Sequence, residues 1–191
     1  RNDITVSALS RYPEVITMEE AAEDEEELWN FIQEAVKEAC EGFVKTRITE
    51  GENLKKDLLH KLDHMEELVG FIEERSPKIV SEYRKKLEDK MAEVLADTSI
   101  DESRIAAEVI LYADKICVDE ETVRLRSHIT HARQCLSEDG GIGRKLDFIA
   151  QEMTREANTT LSKANDIEIS NAAIDLKTEI EKVREQIQNI E

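Results

Sequence analysis

Ile169, Ala173, Leu176, Ile180, Val183, Ile187 and Ile190 are spaced by four, three, four, three, four and three residues. At 3.6 residues per turn such a set is one continuous apolar ridge, the mark of an α-helix that needs a partner helix along its length. The alternation recurs at Leu58, Leu62, Met65, Val69 and Ile72, and an apolar stripe of helical spacing restarts at Ile79, Tyr83, Leu87, Met91 and Val94. It returns at Leu146, Ile149, Met153, Ala157, Leu161 and Ala164. With 37% charged and 4% aromatic residues, two prolines and six glycines in 191 positions, the chain suits long helices. A sheet sandwich would need β-branched runs broken by regular turn signals. The length allows one substantial domain or two small ones.

The pattern divides the chain. NDITV, residues 2 to 6, reads as a short strand or an extended lead-in, and Tyr12-Pro13 breaks the chain after it. Apolar residues at 28, 32, 35 or 36, 39 and 43 then define an amphipathic helix whose acidic first turns suit the positive end of the helix dipole. Gly51 is expected to relax or end it. From Asn53 to Leu95 the spacing predicts a helical arm. Ser76-Pro77 interrupts that arm, because proline lacks a donor and pushes its predecessor out of the helical region. The simpler expectation is two antiparallel helices turning at Pro77, with one kinked helix as the alternative. LADTSIDESR, residues 95 to 104, reads as a linker with Asp101 as a cap. Asp119 is expected to cap the next helix, SEDGGIG to form a turn, and Asn165-Asp166 to open the last helix. The expected architecture is mainly α: a long helical hairpin or coiled-coil arm over 52–99 and a helical domain over 100–191. Residues 1–51 are expected to be the remnant of an α/β domain.

The net charge of −18 argues at first against a nucleic-acid partner. The acid is local, however. Residues 14–41 hold eleven acidic side chains against Lys37 alone, a net of −10, whereas residues 143–165 carry a net of +1. The acidic run is best read as a solvated helix start rather than a binding tail. Cys40, Cys117 and Cys135 are odd in number and widely spaced, which suggests reduced, buried thiols of a cytoplasmic protein rather than disulfides or a zinc site. No stretch approaches 18 uninterrupted apolar residues, so no membrane span is expected. The sequence opens at Arg1 without a methionine and so carries no reading on targeting.

The segment 143–166, GRKLDFIAQEMTREANTTLSKAND, is unusual for a helix surface. Gln151, Arg155, Asn158 and Ser162 share one face, and Glu152, Glu156, Thr159 and Lys163 form the ridge beside it. Asn, Ser and Thr are poor helix-interior residues, so their presence in the last turns asks for a reason. Glu152 and Glu156, one turn apart with Asp147 further back, could share a hard divalent cation. On spacing alone, pairing with Arg144, Arg155 or Lys163 is the simpler reading. In the preceding helix, Glu120, Glu121, Arg124, Ser127 and His128 lie toward one side. A carboxylate, a guanidinium and an imidazole there are compatible with surface ion pairs or with proton transfer. His60 and His64 lack a third ligand and read as solvated, and His131 has no neighbour to argue from.

Together these blocks carry a resemblance. RYPEV near the start, TRITEGENL, ADKI with EETVRLRSH after it, the GRKLDF-QEM-RE-NT--SK pattern and the terminal KVREQIQNIE resemble the C-terminal two-thirds of the YicC/YloC family of bacterial endoribonucleases. The resemblance implies cytoplasmic, metal-dependent cleavage of structured or small regulatory RNA by a ring-like homo-oligomer, a hexamer that closes around its substrate. The family pattern falls on Arg47, Glu50 and Gly51. It falls further on Glu108, Glu120, Glu121, Arg124 and His128, then on Gly143, Asp147, Gln151, Glu152, Arg155, Glu156, Asn158, Thr159, Ser162 and Lys163.

Joined with the chemistry of these groups, the resemblance suggests roles. His128 and Glu121 would be catalytic, and Arg47, Arg124, Arg155, Asn158, Thr159, Ser162 and Lys163 would bind RNA. Glu152, Glu156 and Asp147 would hold Mn²⁺ or Mg²⁺. Two departures stand out. Cys117 occupies a position where the family commonly has aspartate, which argues against a metal ligand there. Family members also commonly carry a further N-terminal region with an MTGF-like opening, absent from this sequence, which is therefore expected to be a fragment; if that region contributes to the active site, the fragment is expected to fold without being active. The alternative reading is an oligomeric RNA-binding or scaffold protein that assists a partner ribonuclease without cleaving.

Overall fold

The computed structural model describes residues 4–18, 24–94, 102–138 and 140–190. The elements are α1 (Val6–Leu9), α2 (Glu25–Val94), α3 (Glu102–Ile116), α4 (Asp119–Cys135), α5 (Gly143–Lys163) and α6 (Ile167–Ile187). There is no strand among the described residues. Thr5, in extended backbone, caps α1 through its side chain, which accepts from the Ala8 amide. Of the segment 2–6 the described residues thus form a lead-in and a helix start rather than a strand, residues 2 and 3 lie outside the described residues, and the α/β remnant is not found. The expected linker at 95–101 and the Asp101 cap lie outside the described residues.

The chain forms two units, Arg1–Ile48 and Thr49–Glu191. In the first, Asp24 caps α2 by accepting from the Glu26 amide at 3.0 Å, and Glu25, Glu26 and Glu27 fill the first turn. The expected amphipathic stripe is present, but its members Leu28, Ile32, Val36 and Phe43 are exposed, as are Trp29 and Phe31. Cys40 is exposed as well, contrary to the expectation of a buried thiol, while Cys117 is half-buried and Cys135 buried.

α2 continues through both Gly51 and Pro77, so neither residue ends a helix and the expected hairpin is absent. The reason lies in packing on both sides of the proline. Ile72 and Ile79 bury themselves in one cluster with Ile116, Val118, Ile169 and Ala172, which holds the helical phase across the break. Arg75 adds a second brace: it donates to Glu82, seven residues on, at 2.6 and 3.0 Å, and to Asp166 at 2.8 Å. Its Nε lies 2.8 Å from Glu168, an ion contact without hydrogen-bond alignment. Together these outweigh the roughly 3 kcal/mol that an interior proline costs a helix.

In the second unit the main core joins Leu58, Leu62, Met65 and Val69 of α2 to Leu125 and Ile129 of α4, Ile149 and Met153 of α5, and Leu176, Ile180 and Val183 of α6. Each such side chain contributes about 1.5–3 kcal/mol when fully buried. The apolar stripe of α6 is thus covered within the chain. Ion pairs fix the outer edge of α2 against α4: Arg126 binds Glu73 at 2.7 Å, and Arg133 reaches both Asp63 and Glu66 at 2.6 Å. α3 is tied on by Tyr83 and Tyr112, whose rings stack 3.7 Å apart.

Candidate functional site

α4 and α5 lie side by side in the second unit, and their cross-links define the register. Lys163 donates to Glu121 at 2.8 Å, and Arg124 donates to Glu156 at 3.4 Å. As the numbers rise on α4 they fall on α5, so the helices are antiparallel. The same register carries His128 level with the 152–156 turn of α5. Arg124 also binds Glu120, one turn back on its own helix. Glu121 and Arg124 on α4 are thus joined to Lys163 and Glu156 on α5 along one seam, and helical spacing puts His128 and Glu152 on the same sides of their own helices as these pairs.

The two long-range pairs differ from ordinary surface bridges. The side chain of Glu121 is 7% exposed and that of Glu156 6% exposed, against 35% for Lys163 and 54% for Arg124. Two carboxylates are thus held in the protein wall with their cations toward solvent. The hydrogen bond from Lys163 to Glu121 raises the lysine pKa above its ordinary value, with burial opposing, so the amine stays charged at neutral pH. Glu121 uses only one oxygen. Its Oε2 is buried without a hydrogen-bond partner. An orphaned buried acceptor is costly, and a cation or a hydroxyl donor would relieve it.

The polar end of α5 has a partly local explanation. Thr160 is fully buried and donates to the Glu156 carbonyl at 2.9 Å, so it is a core residue. Thr159 donates to the Arg155 carbonyl at 3.1 Å, and Ser162 donates to the Thr159 carbonyl at 2.8 Å. These hydroxyls have spent their donors on the helix, so toward a ligand they can only accept. Arg155 and Asn158 are exposed, and Glu152 is half-buried.

Other expected site residues lie apart. Asp147 accepts from Gln151 at 2.6 Å and from Arg184 at 3.4 Å, and stands nine residues before Glu156, about 13 Å along the helix axis. It is not brought to Glu152 and Glu156. Arg47 is exposed in the first unit. Cys117 is half-buried and lies near Lys163. His60 and His64 are exposed. Among the described residues no three His, Cys, Asp or Glu side chains converge as a metal cage. A pair of carboxylates suits Mg²⁺ or Mn²⁺ better than zinc. Mg²⁺ commonly takes one or two carboxylates and fills its shell with waters and phosphate oxygens.

The cross-helix pairs could not be read from spacing, since Glu121 and Lys163 are 42 residues apart. Arg75 gives no signal either, because its partners lie beyond the apparent break at Ser76-Pro77.

The family described as endoribonuclease YicC-like, C-terminal, matches residues 72–191, and its N-terminal region matches residues 1–56. The chain belongs to the YicC-like endoribonuclease family. The C-terminal match contains the whole α4/α5 seam. A relative named "Probable endoribonuclease YicC" from Clostridioides difficile (strain 630) is 43% identical over 191 residues, covering 100% of this chain and 65% of the relative. Another of the same name from Haemophilus influenzae (strain ATCC 51907 / DSM 11121 / KW20 / Rd) is 33% identical over 189 residues, 99% of this chain and 64% of that protein. The chain therefore spans just under two thirds of these relatives. No helix among the described residues is long and apolar enough to cross a membrane.

Proposed function

We propose that the α4/α5 seam is the cleavage site of a metal-dependent endoribonuclease acting on structured or small regulatory RNA in the cytoplasm, within a ring-like homo-oligomer such as a hexamer. The observation that carries this reading is the seam itself. It joins two cation-bearing side chains to two buried carboxylates across the helices, inside the segment matched to the family, and spacing puts the His128 imidazole on the same side of α4.

In this reading Arg124, Arg155 and Lys163 hold phosphate oxygens, and Arg47 is a separate RNA-binding residue of the first unit. The Asn158 amide donates to backbone oxygens or a 2′-hydroxyl, while Thr159 and Ser162 accept from such hydroxyls. His128, level with the reacting turn, moves the proton between the attacking or leaving oxygen and water. Glu121 is a further catalytic group, its free oxygen placed to accept a proton or a hydroxyl donor. Glu152 and Glu156 would hold the divalent cation, Mn²⁺ or Mg²⁺. When bound, the cation supplies Lewis-acid polarisation of a phosphoryl oxygen and neutralises charge. Replacing Glu152 and Glu156 together by Gln should abolish RNA cleavage while the protein stays folded by circular dichroism; full activity in that double variant would contradict the assignment.

One observation favours a second reading. The exposed apolar stripe on the first part of α2, with Trp29, Phe31 and Phe43, is suited to an oligomeric RNA-binding scaffold that assists a partner ribonuclease. Salt separates the two kinds of contact, because phosphate binding weakens steeply with added salt and a hydrophobic seam does not. Cleavage by the purified protein alone would exclude the partner.

A further inference from the structure

α5 turns an unusual side to solvent. Apart from Lys145, its exposed side chains are Arg144, Phe148, Gln151, Arg155, Asn158 and Ser162. At 3.6 residues per turn they lie within about 40° of one line along the helix, and at 1.5 Å per residue that line runs about 27 Å. No acid stands on it, in a chain of net charge −18. On α6, by contrast, Glu168, Asp175, Glu181 and Glu185 are all exposed. Arg144 and Arg155 form no ion pair with any described residue, while Lys145 is taken by Glu138 at 2.7 Å. Of the acids on the flanks, Asp147 accepts from Arg184 and Gln151, Glu156 accepts from Arg124, and Glu152 is half-buried on the neighbouring ridge.

The Phe148 side chain is 63% exposed. A ridge made for a partner helix repeats apolar residues every three or four positions. Here one ring stands alone among two amides, a hydroxyl and two guanidinium groups. An exposed aromatic face flanked by cations suits unpaired nucleotides, because the ring stacks on a base and the cations take the phosphates. Bases inside a duplex are already stacked, and A-form RNA hides their edges in a deep, narrow groove.

We propose that the exposed ridge of α5 is a track for an unpaired stretch of RNA, on which a base stacks against Phe148 between phosphates held by Arg144 and Arg155. The inference rests on the reading of the protein as a ribonuclease, and it names the part of the substrate that is recognised: a loop, bulge or tail instead of a duplex. Arg144 and Phe148 thereby join the RNA contacts. Phe148 stands about 6 Å along the axis from Arg144 and about 10 Å from Arg155, so the ring falls between the two phosphate positions. Gln151 spends one N–H on Asp147 and keeps the other, with its carbonyl, for a base edge or sugar. The ridge that carries Glu156 and Lys163 toward α4 lies directly beside this line, so the track runs along the seam.

The test is fluorescence anisotropy with the purified protein in EDTA, which holds cleavage off, using a short labelled unstructured RNA and a blunt duplex of the same length. The wild type should prefer the single strand by about tenfold or more. Phe148→Ala should weaken single-strand binding by about five- to a hundredfold and leave duplex binding unchanged. Phe148→Trp should keep the wild-type affinity, and Phe148→Leu, apolar but without a π-face, should not. Arg144→Gln and Arg155→Gln should each reduce the slope of log affinity against log salt by about 0.7. Equal wild-type affinity for the two RNAs, or Phe148→Leu binding as well as the wild type, would overturn the track, while cleavage by the wild type in Mn²⁺ would keep the ribonuclease reading. A lower sedimentation mass for Phe148→Ala with unchanged RNA affinity would also overturn it, by placing a second copy of the chain on the ridge. If the wild type neither binds nor cuts either RNA, the ribonuclease reading fails and takes the inference with it. The comparison of the two RNAs needs no variant, and circular dichroism checks that each variant is folded.

Discussion

Gly143 opens α5 with no room for a side chain, since a Cβ there would lie 2.6 Å from the Ile190 carbonyl oxygen. Gly143→Ala should therefore destabilise the protein by about 1–3 kcal/mol, a typical overpacking cost, read as a lower urea midpoint with an unchanged slope. Asp166 shows the opposite kind of residue, one whose side chain is fully used. It accepts from the amides of Glu168 and Ile169 at 3.0 Å and receives Arg75 at 2.8 Å. Loss of the cap alone in Asp166→Ala should lower stability by about 1 kcal/mol in the same measurement. This cap was legible in the sequence, because Asn165-Asp166 ahead of a long apolar stripe is a local signal. The cap at Asp119 was displaced by one position: Asp119 is already helical, Val118 precedes it, and the Thr122 side chain donates to the Asp119 carbonyl at 3.1 Å. At the site, His128 and Glu121 were visible as one face of one helix. Their relation to Lys163 and Glu156 was not, because a tertiary register is set by packing between helices and leaves no trace in the spacing of either one.

At the scale of elements, α2 is where local rules and tertiary packing disagree. Proline and the residue before it both argue for a break at 76–77, yet the helix passes through because Ile72 and Ile79 share a core and Arg75 spans to Glu82. If packing holds the phase, Pro77 only weakens the helix, and it is exposed, so its ring contributes little burial. Pro77→Ala should then stabilise the protein, by up to about 3 kcal/mol, through a restored amide donor and relief of the ring clash. A loss of stability on urea unfolding would show instead that the proline shapes a bend the core requires. The apolar stripes of α5 and α6 were fully legible, since a helix buried against its neighbours must repeat at 3.6 residues. The stripe on the first part of α2 was equally legible as a helix, but its coverage was not.

For the whole molecule, the ion pairs predict an acid limb of stability. Hydrogen bonding from Arg126 holds the Glu73 carboxyl below its ordinary range despite opposing burial, and Arg75 does the same for Glu82. At Asp166 burial pushes upward, but Arg75 and the two amides prevail and the net direction is down. A carboxylate lowered in the folded state stabilises it above the unfolded value and loses that contribution as pH falls through the folded one. Melting temperature should thus be level near neutrality and decline below about pH 4.5. Arg75→Met should lower the plateau and flatten part of that decline. The exposed stripe around Trp29, the sole tryptophan, offers a reporter of the proposed homo-oligomer. Its emission should shift to shorter wavelength as protein concentration is raised through assembly, and a concentration-independent spectrum from a monomer would contradict the ring.

Whether the α4/α5 seam cleaves RNA is tested most directly by single-turnover cleavage of an end-labelled structured RNA in Mn²⁺, with the wild type and His128→Ala side by side. A loss of about 10²–10⁴-fold in rate, with unchanged RNA affinity and melting temperature and with wild-type cleavage stopped by EDTA, is the result expected of a proton-transferring imidazole. Cleavage by His128→Ala at the wild-type rate would place the chemistry elsewhere.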